Sequence, residues 1–227
     1  MLGTPAYFAA ATWLRYVALE PTIRRTAPDL LISWSRLLKG RFLNPMVQRD
    51  ILIGLSAGAI VVVSDFAASY WTGESRTLWN DCEALNSNSN AIGVWIHESL
   101  VFMTWALIWT FLITVLYPVV RSRVLGSLIF FVVSLAMAIA EGSSLDLLMF
   151  GAFRTIILLA VIQRFGLLAL MAMGIMFPLF RGIPLTTDKS AFFFERGLLL
   201  TVLIVAIACF CFIVSTAPNR QAGRRYC

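Results

Sequence analysis

His97 and Glu98 stand together at the start of a long apolar run, and His97 is the only histidine in the chain. Inside a membrane, ionisable side chains are functional candidates by default, so this pair suggests a proton relay, with His97 a weak candidate for cofactor binding. Four further charges fall inside or at the ends of apolar runs: Asp65, Glu141, Asp146 and Arg154. Gathered at one end of a helical bundle, they would line a polar, outward-facing cavity or form buried pairs that fix packing. Asp146 and Arg154 lie roughly 12 Å apart on one helix at 1.5 Å per residue. Arg154 is therefore expected to find Asp65, Glu98 or Glu141 on a neighbouring helix. Arg164, beside Gly166, reads as a charge anchoring a turn.

The chemistry that is missing is equally informative. One histidine without a partner motif is too little for a metal site. Cys82, Cys209, Cys211 and Cys227 show no metal-type spacing and no disulfide framework, and Cys209 and Cys211 read as small buried hydrophobes within an apolar run. A protein kinase needs a glycine-rich phosphate loop, a strand lysine, a catalytic-loop aspartate and a metal-binding aspartate. None is present, and the only lysines are Lys39 and Lys189. No enzymatic activity, cofactor or metal is expected of this chain.

Composition supplies the setting. Hydrophobic residues make up 59% and charged residues 13% of the 227 residues, with a mean hydropathy of +0.84. A soluble domain has about 45–50% apolar and about 25% charged residues. The expected fold is an all-α integral membrane protein. The formal net charge of +6 comes from arginines clustered at the ends of apolar runs, where they meet anionic head groups. Nucleic acid is not an expected partner. Membrane lipids are, together with a protein partner or further copies of the chain.

The elements follow from the apolar runs. Residues 1–50 hold a short apolar segment, interrupted by Arg15, whose membrane role is left open, and then a basic stretch. That stretch carries Arg24, Arg25, Arg36, Lys39, Arg41 and Arg49. Asp29 is a candidate N-cap and Gly40 a stop for a helix whose apolar face includes Trp34. Such a helix either lies at the head groups or packs on other protein. Six spans are expected after it, at about 51–70, 94–117, 124–140, 145–163, 166–180 and 191–216, with a basic tail over 217–227. Gly54 and Gly58 form a small-xxx-small pair that permits close helix approach, and Trp105 and Trp109 share a face.

The stretch 145–180 has two readings. As one span it buries Gln163 and Arg164; as two, broken at Arg164-Phe165-Gly166, it buries Arg154. A central arginine costs about 2.5–3.5 kcal/mol in either reading. Two spans are chosen because they keep Arg220, Arg224 and Arg225 on the side of the basic collar. Lys/Arg-rich flanks stay cytoplasmic, which places the N-terminal region and the C-terminus inside a plasma (inner) membrane.

Three stretches carry a resemblance: LEPTIRRTAPDLLISWSRLLKGRF followed by NPMVQRDILIG (19–54), RFGLLAL (164–170) and PLTTDKSAFFFERGLLL (184–200). Together they resemble the C-terminal multi-span membrane region of large bacterial serine/threonine protein kinases. The family's kinase domain is not within this chain, and its tail differs from PNRQAGRRYC here. The resemblance implies a non-catalytic membrane anchor or sensor coupled to a cytoplasmic kinase. Alternatives are a small transporter or channel subunit, or a structural subunit of a larger membrane complex. No internal repeat of the kind many transporter folds carry is evident.

Overall fold

A computed structural model of the chain describes residues 3–72, 87–140, 145–181 and 194–216. These residues form seven α-helices and no strand: α1 (Gly3–Thr26), α2 (Ile32–Leu38), α3 (Pro45–Thr72), α4 (Asn88–Val120), α5 (Arg123–Ala140), α6 (Leu145–Arg181) and α7 (Phe194–Thr216). A 3-10 turn, Pro28–Leu31, joins α1 to α2.

Four helices are long and apolar enough to cross a membrane, over Pro45–Ala68, Ser89–Val120, Leu148–Met176 and Gly197–Thr216. Six spans are not found among the described residues. Helix α5 is apolar over Arg123–Met137 and continues to Ala140, and the expected spans 145–163 and 166–180 lie on one element, α6. That element is not straight: Gly166 breaks it with φ +81° and ψ −168°.

The bundle is organised on α3 and α6, the most extensively packed pair of helices. A Cβ on Gly54 would overlap the carbonyl oxygen of Ala169 and lie 2.7 Å from the Ala172 Cβ. One turn on, a Cβ on Gly58 would lie 2.7 Å from both the Met173 oxygen and the Met176 Cβ. Residue numbers rise together along this seam, so α3 and the second half of α6 run in the same direction. Helix α4 runs against them. Its Trp95 Nε1 donates to the Ile175 oxygen at 3.0 Å, while Ile113, further along α4, shares the core with Ile162.

Helix α1 lies along α4, joined to it by a hydroxyl contact of 2.7 Å between Thr12 and Thr104. Arg15, Glu20, Arg24 and Arg25 keep α1 out of the set of spanning helices. Helix α7 packs on α3 and on the start of α4, where Leu200 and Ile204 meet Ala91 and Trp95. Only 22% of its spanning window is buried, against 61% for α6. Leu198, Val202, Val205, Phe212 and Ile213 are exposed along it. An apolar surface of that extent belongs in hydrocarbon, because soluble monomers rarely expose large apolar patches. Cys209 is on that exposed side, contrary to the expectation that both cysteines of α7 are buried; Cys211 is buried.

Candidate functional site, the basic end of the bundle

The break in α6, the start of α3, the end of α4 and the segment between α1 and α2 meet at one end of the bundle. Local sequence explains how. Asn44 and Pro45 start α3: the Asn44 side-chain oxygen accepts from the Met46 N–H at 3.0 Å, and Pro45, lacking an N–H, takes the first helical position. Helix α3 therefore begins before its apolar run, which winds Gln48, Arg49 and Asp50 into helical register. At the end of α2, Gly40 adopts φ +73°. Its N–H bonds the Leu37 oxygen at 2.9 Å, and the Arg41 N–H bonds the Arg36 oxygen at 3.1 Å. This is the paired left-handed stop that satisfies the last carbonyls of a helix.

These two devices bring Ser33 and Asp50 together. Both are buried, at 5% and 1% exposure, and the Ser33 hydroxyl donates to Asp50 Oδ2. Arg49 completes the carboxylate's partners, with Nη2 3.1 Å from Oδ1. The pair ties α2 to the root of α3. Replacing Asp50 with alanine leaves the Ser33 hydroxyl buried without its acceptor, a loss of about 1–3 kcal/mol. Asn, which retains an acceptor, should cost less than Ala. Thermal unfolding of the purified variants checks the order; an unchanged midpoint for Asp50→Ala would show that packing alone holds the joint.

The expected collar residues divide by contact. Trp34 faces protein: its ring packs against Tyr16 at 5.7 Å between centroids and against the core. Helix α2 packs on α3 and α6. Asp29 caps nothing, since no side-chain cap bond forms at the start of the 3-10 turn or of α2; it lies inside the turn. Arg24 pairs with Glu20 at 2.6 Å and reaches Ser35 at 3.4 Å. Glu20 holds the Arg24 guanidinium more firmly in its charged form. Arg36 approaches the Met46 sulfur at 3.0 Å. Lys39, Arg41 and Arg164 are exposed.

Arg25 has company that sequence spacing did not suggest. With Arg121 and Arg123 it lines a cavity of about 630 Å³ between the 3-10 turn, the end of α4 and the middle of α6. Asp29 and Gln163 are in the same wall, and the buried Ile113 and Ile162 are among its apolar residues. The available signal was Arg-Ser-Arg at 121–123, between two apolar runs of opposite direction.

Arg24–Glu20 and Arg49–Asp50 are ion pairs among the described residues. Asp65 and Glu98 each have interactions of their own. Glu141 and the Asp146 side chain lie outside the described residues, as do Cys82, Cys227, residues 73–86, the turn containing Pro184 and the tail over 217–227. His97 sits between α4 and α1, its ring edge-on to Phe8 at 4.7 Å, with Nδ1 buried and unbonded. No group of three metal-ligating side chains occurs among the described residues. Trp105 and Trp109 do share a face, with centroids 6.2 Å apart. No family model, curated protein or solved structure matches the chain.

Proposed function

We propose that this chain is a non-catalytic, multi-span membrane module whose basic end faces the cytoplasm and couples to a partner there, such as a serine/threonine kinase. The observation that carries this reading is the convergence of four elements on that end. The Ser33–Asp50 bond, the Gly166–Leu30 approach and the α3–α6 seam join the surface segments directly to the spanning helices. A partner seated on Lys39, Arg41 and Arg164 would thus rest on a firm platform, and a shift in the bundle would reach it. Sequence likeness to kinase membrane regions, in the stretches around 19–54 and 164–170, supports the choice of partner.

The same reading places both ends of the chain inside. Helix α7 begins at the end of the bundle away from the collar, and one crossing returns it.

The test is co-purification in a mild detergent from the native membrane, followed by mass spectrometry. A serine/threonine kinase domain, as a separate chain or in the same polypeptide, should be recovered. Changing Lys39 and Arg41 together to glutamine should lower recovery about tenfold or more, at about 1 kcal/mol per surface charge. Recovery only of unrelated membrane subunits, unaffected by those changes, would refute the coupling.

A further inference from the structure

We infer that the cavity between Arg25, Arg121 and Arg123 is a binding site for the phosphate of an anionic phospholipid head group. The inference uses the membrane setting of the chain but not its coupling to a kinase.

Three arginines from two separate parts of the fold line one cavity, with Asp29 as the only carboxylate among its described lining residues. Guanidinium forks match phosphate oxygens in pairs, which a lysine ammonium does not do. A net excess of positive charge with one carboxylate present suits a single phosphate better than a dense polyanion. Thr26, Ser122 and Gln163 add neutral donors to the lining, and the volume is that of a small-molecule site.

The backbone gives an independent sign. Arg121 ends α4 in the left-handed region, φ +55°, and is the only non-glycine residue with positive φ among those described. That conformation is unfavourable for a side-chain-bearing residue, because its Cβ crowds the following carbonyl oxygen. Glycine is the usual solution at a helix stop, as Gly40 shows on α2. Strain retained at an arginine that lines a cavity is the pattern of a binding position.

The surroundings favour a lipid over a free phosphate compound. Val119 and Val124, which flank the Arg-Ser-Arg segment, are among the most exposed apolar side chains of the molecule, at 74% and 81%. The cavity opens at the end of a spanning helix, where head groups lie. Apolar side chains beside the mouth would meet the acyl chains while the arginines hold the phosphate.

Native mass spectrometry of the full chain tests this, with dioleoyl phosphatidylglycerol and dioleoyl phosphatidylcholine offered at equal concentration. Phosphatidylglycerol should be retained about fivefold or more over phosphatidylcholine, and Arg121→Gln or Arg123→Gln should each remove about fivefold of that preference. Arg121→Lys and Arg123→Lys, which keep the charge but lose the fork, should fall between. Arg15→Gln, an exposed change on α1, should leave the preference intact. Equal retention of the two lipids, or an equal loss from Arg15→Gln, overturns the site. If sn-glycerol 3-phosphate raises the melting midpoint while neither lipid is preferred, the cavity takes a soluble phosphate compound and the lipid assignment fails.

Discussion

Gly166→Ala should destabilise the protein by about 3–5 kcal/mol, enough to remove much of the stability of an ordinary domain. Two effects act at this residue. Its φ of +81° and ψ of −168° lie in a region essentially restricted to glycine. Its missing side chain also admits the 3-10 turn: a Cβ would lie 2.6 Å from the Leu30 carbonyl oxygen and 3.2 Å from its Cα. Neither atom belongs to a flexible side chain, so the backbone itself must shift. Gly40→Ala is the matching control. Gly40 has φ +73° but nothing within 4 Å of its Cβ position, so its replacement should cost only about 1–2 kcal/mol. The difference between the two melting midpoints in one detergent measures the close approach. Equal shifts would show that the turn does not press on α6.

The second large effect is expected at Gly54→Val. A Cβ there already overlaps the backbone of Ala169, and the branched carbons of valine would extend the clash across the α3–α6 seam. Overpacking of a tight interface costs typically about 1–3 kcal/mol. The upper end applies here because the obstructing atom is a backbone carbonyl. Helices in lipid associate by such close contact, without a hydrophobic difference to bring them together, so the seam has little else to fall back on. Gly93→Val and Gly151→Val, where a Cβ meets nothing within 4 Å, should be near neutral. A melting midpoint for Gly54→Val as high as for Gly151→Val would show that the seam is looser than described.

Much of this arrangement could be read from residue spacing, and the failures have physical reasons. Gly54 and Gly58 announced a close helix pair because small residues four apart leave a groove on one face. Gly166 marked the place where 145–180 divides. The joint of Ser33 with Asp50 was hidden because nothing local links residues on separate elements. It required the Asn44–Pro45 start, which extends α3 by more than a turn before its apolar run. The cavity arginines were hidden for the same reason, since Arg25 and Arg121 are neighbours only after α1 lies along α4.

The α3–α6 seam also sets a timetable for biosynthesis. Gly54 and Ala169 are over a hundred residues apart, and loops of that length close late in any folding order. When α3 leaves the ribosome, the partner for its glycine face has not been made. The face must wait in the bilayer, filled by acyl chains, through the synthesis of α4, α5 and the first half of α6. Helices α1 and α4 can join earlier, followed by the end of α4 with the start of α5. The second half of α6 then displaces lipid from the groove on α3 and locks the basic end through Leu30 in the same movement. The platform at that end is thus assembled last but for α7, and a chain halted before Gly166 would carry the collar arginines without the support that positions them.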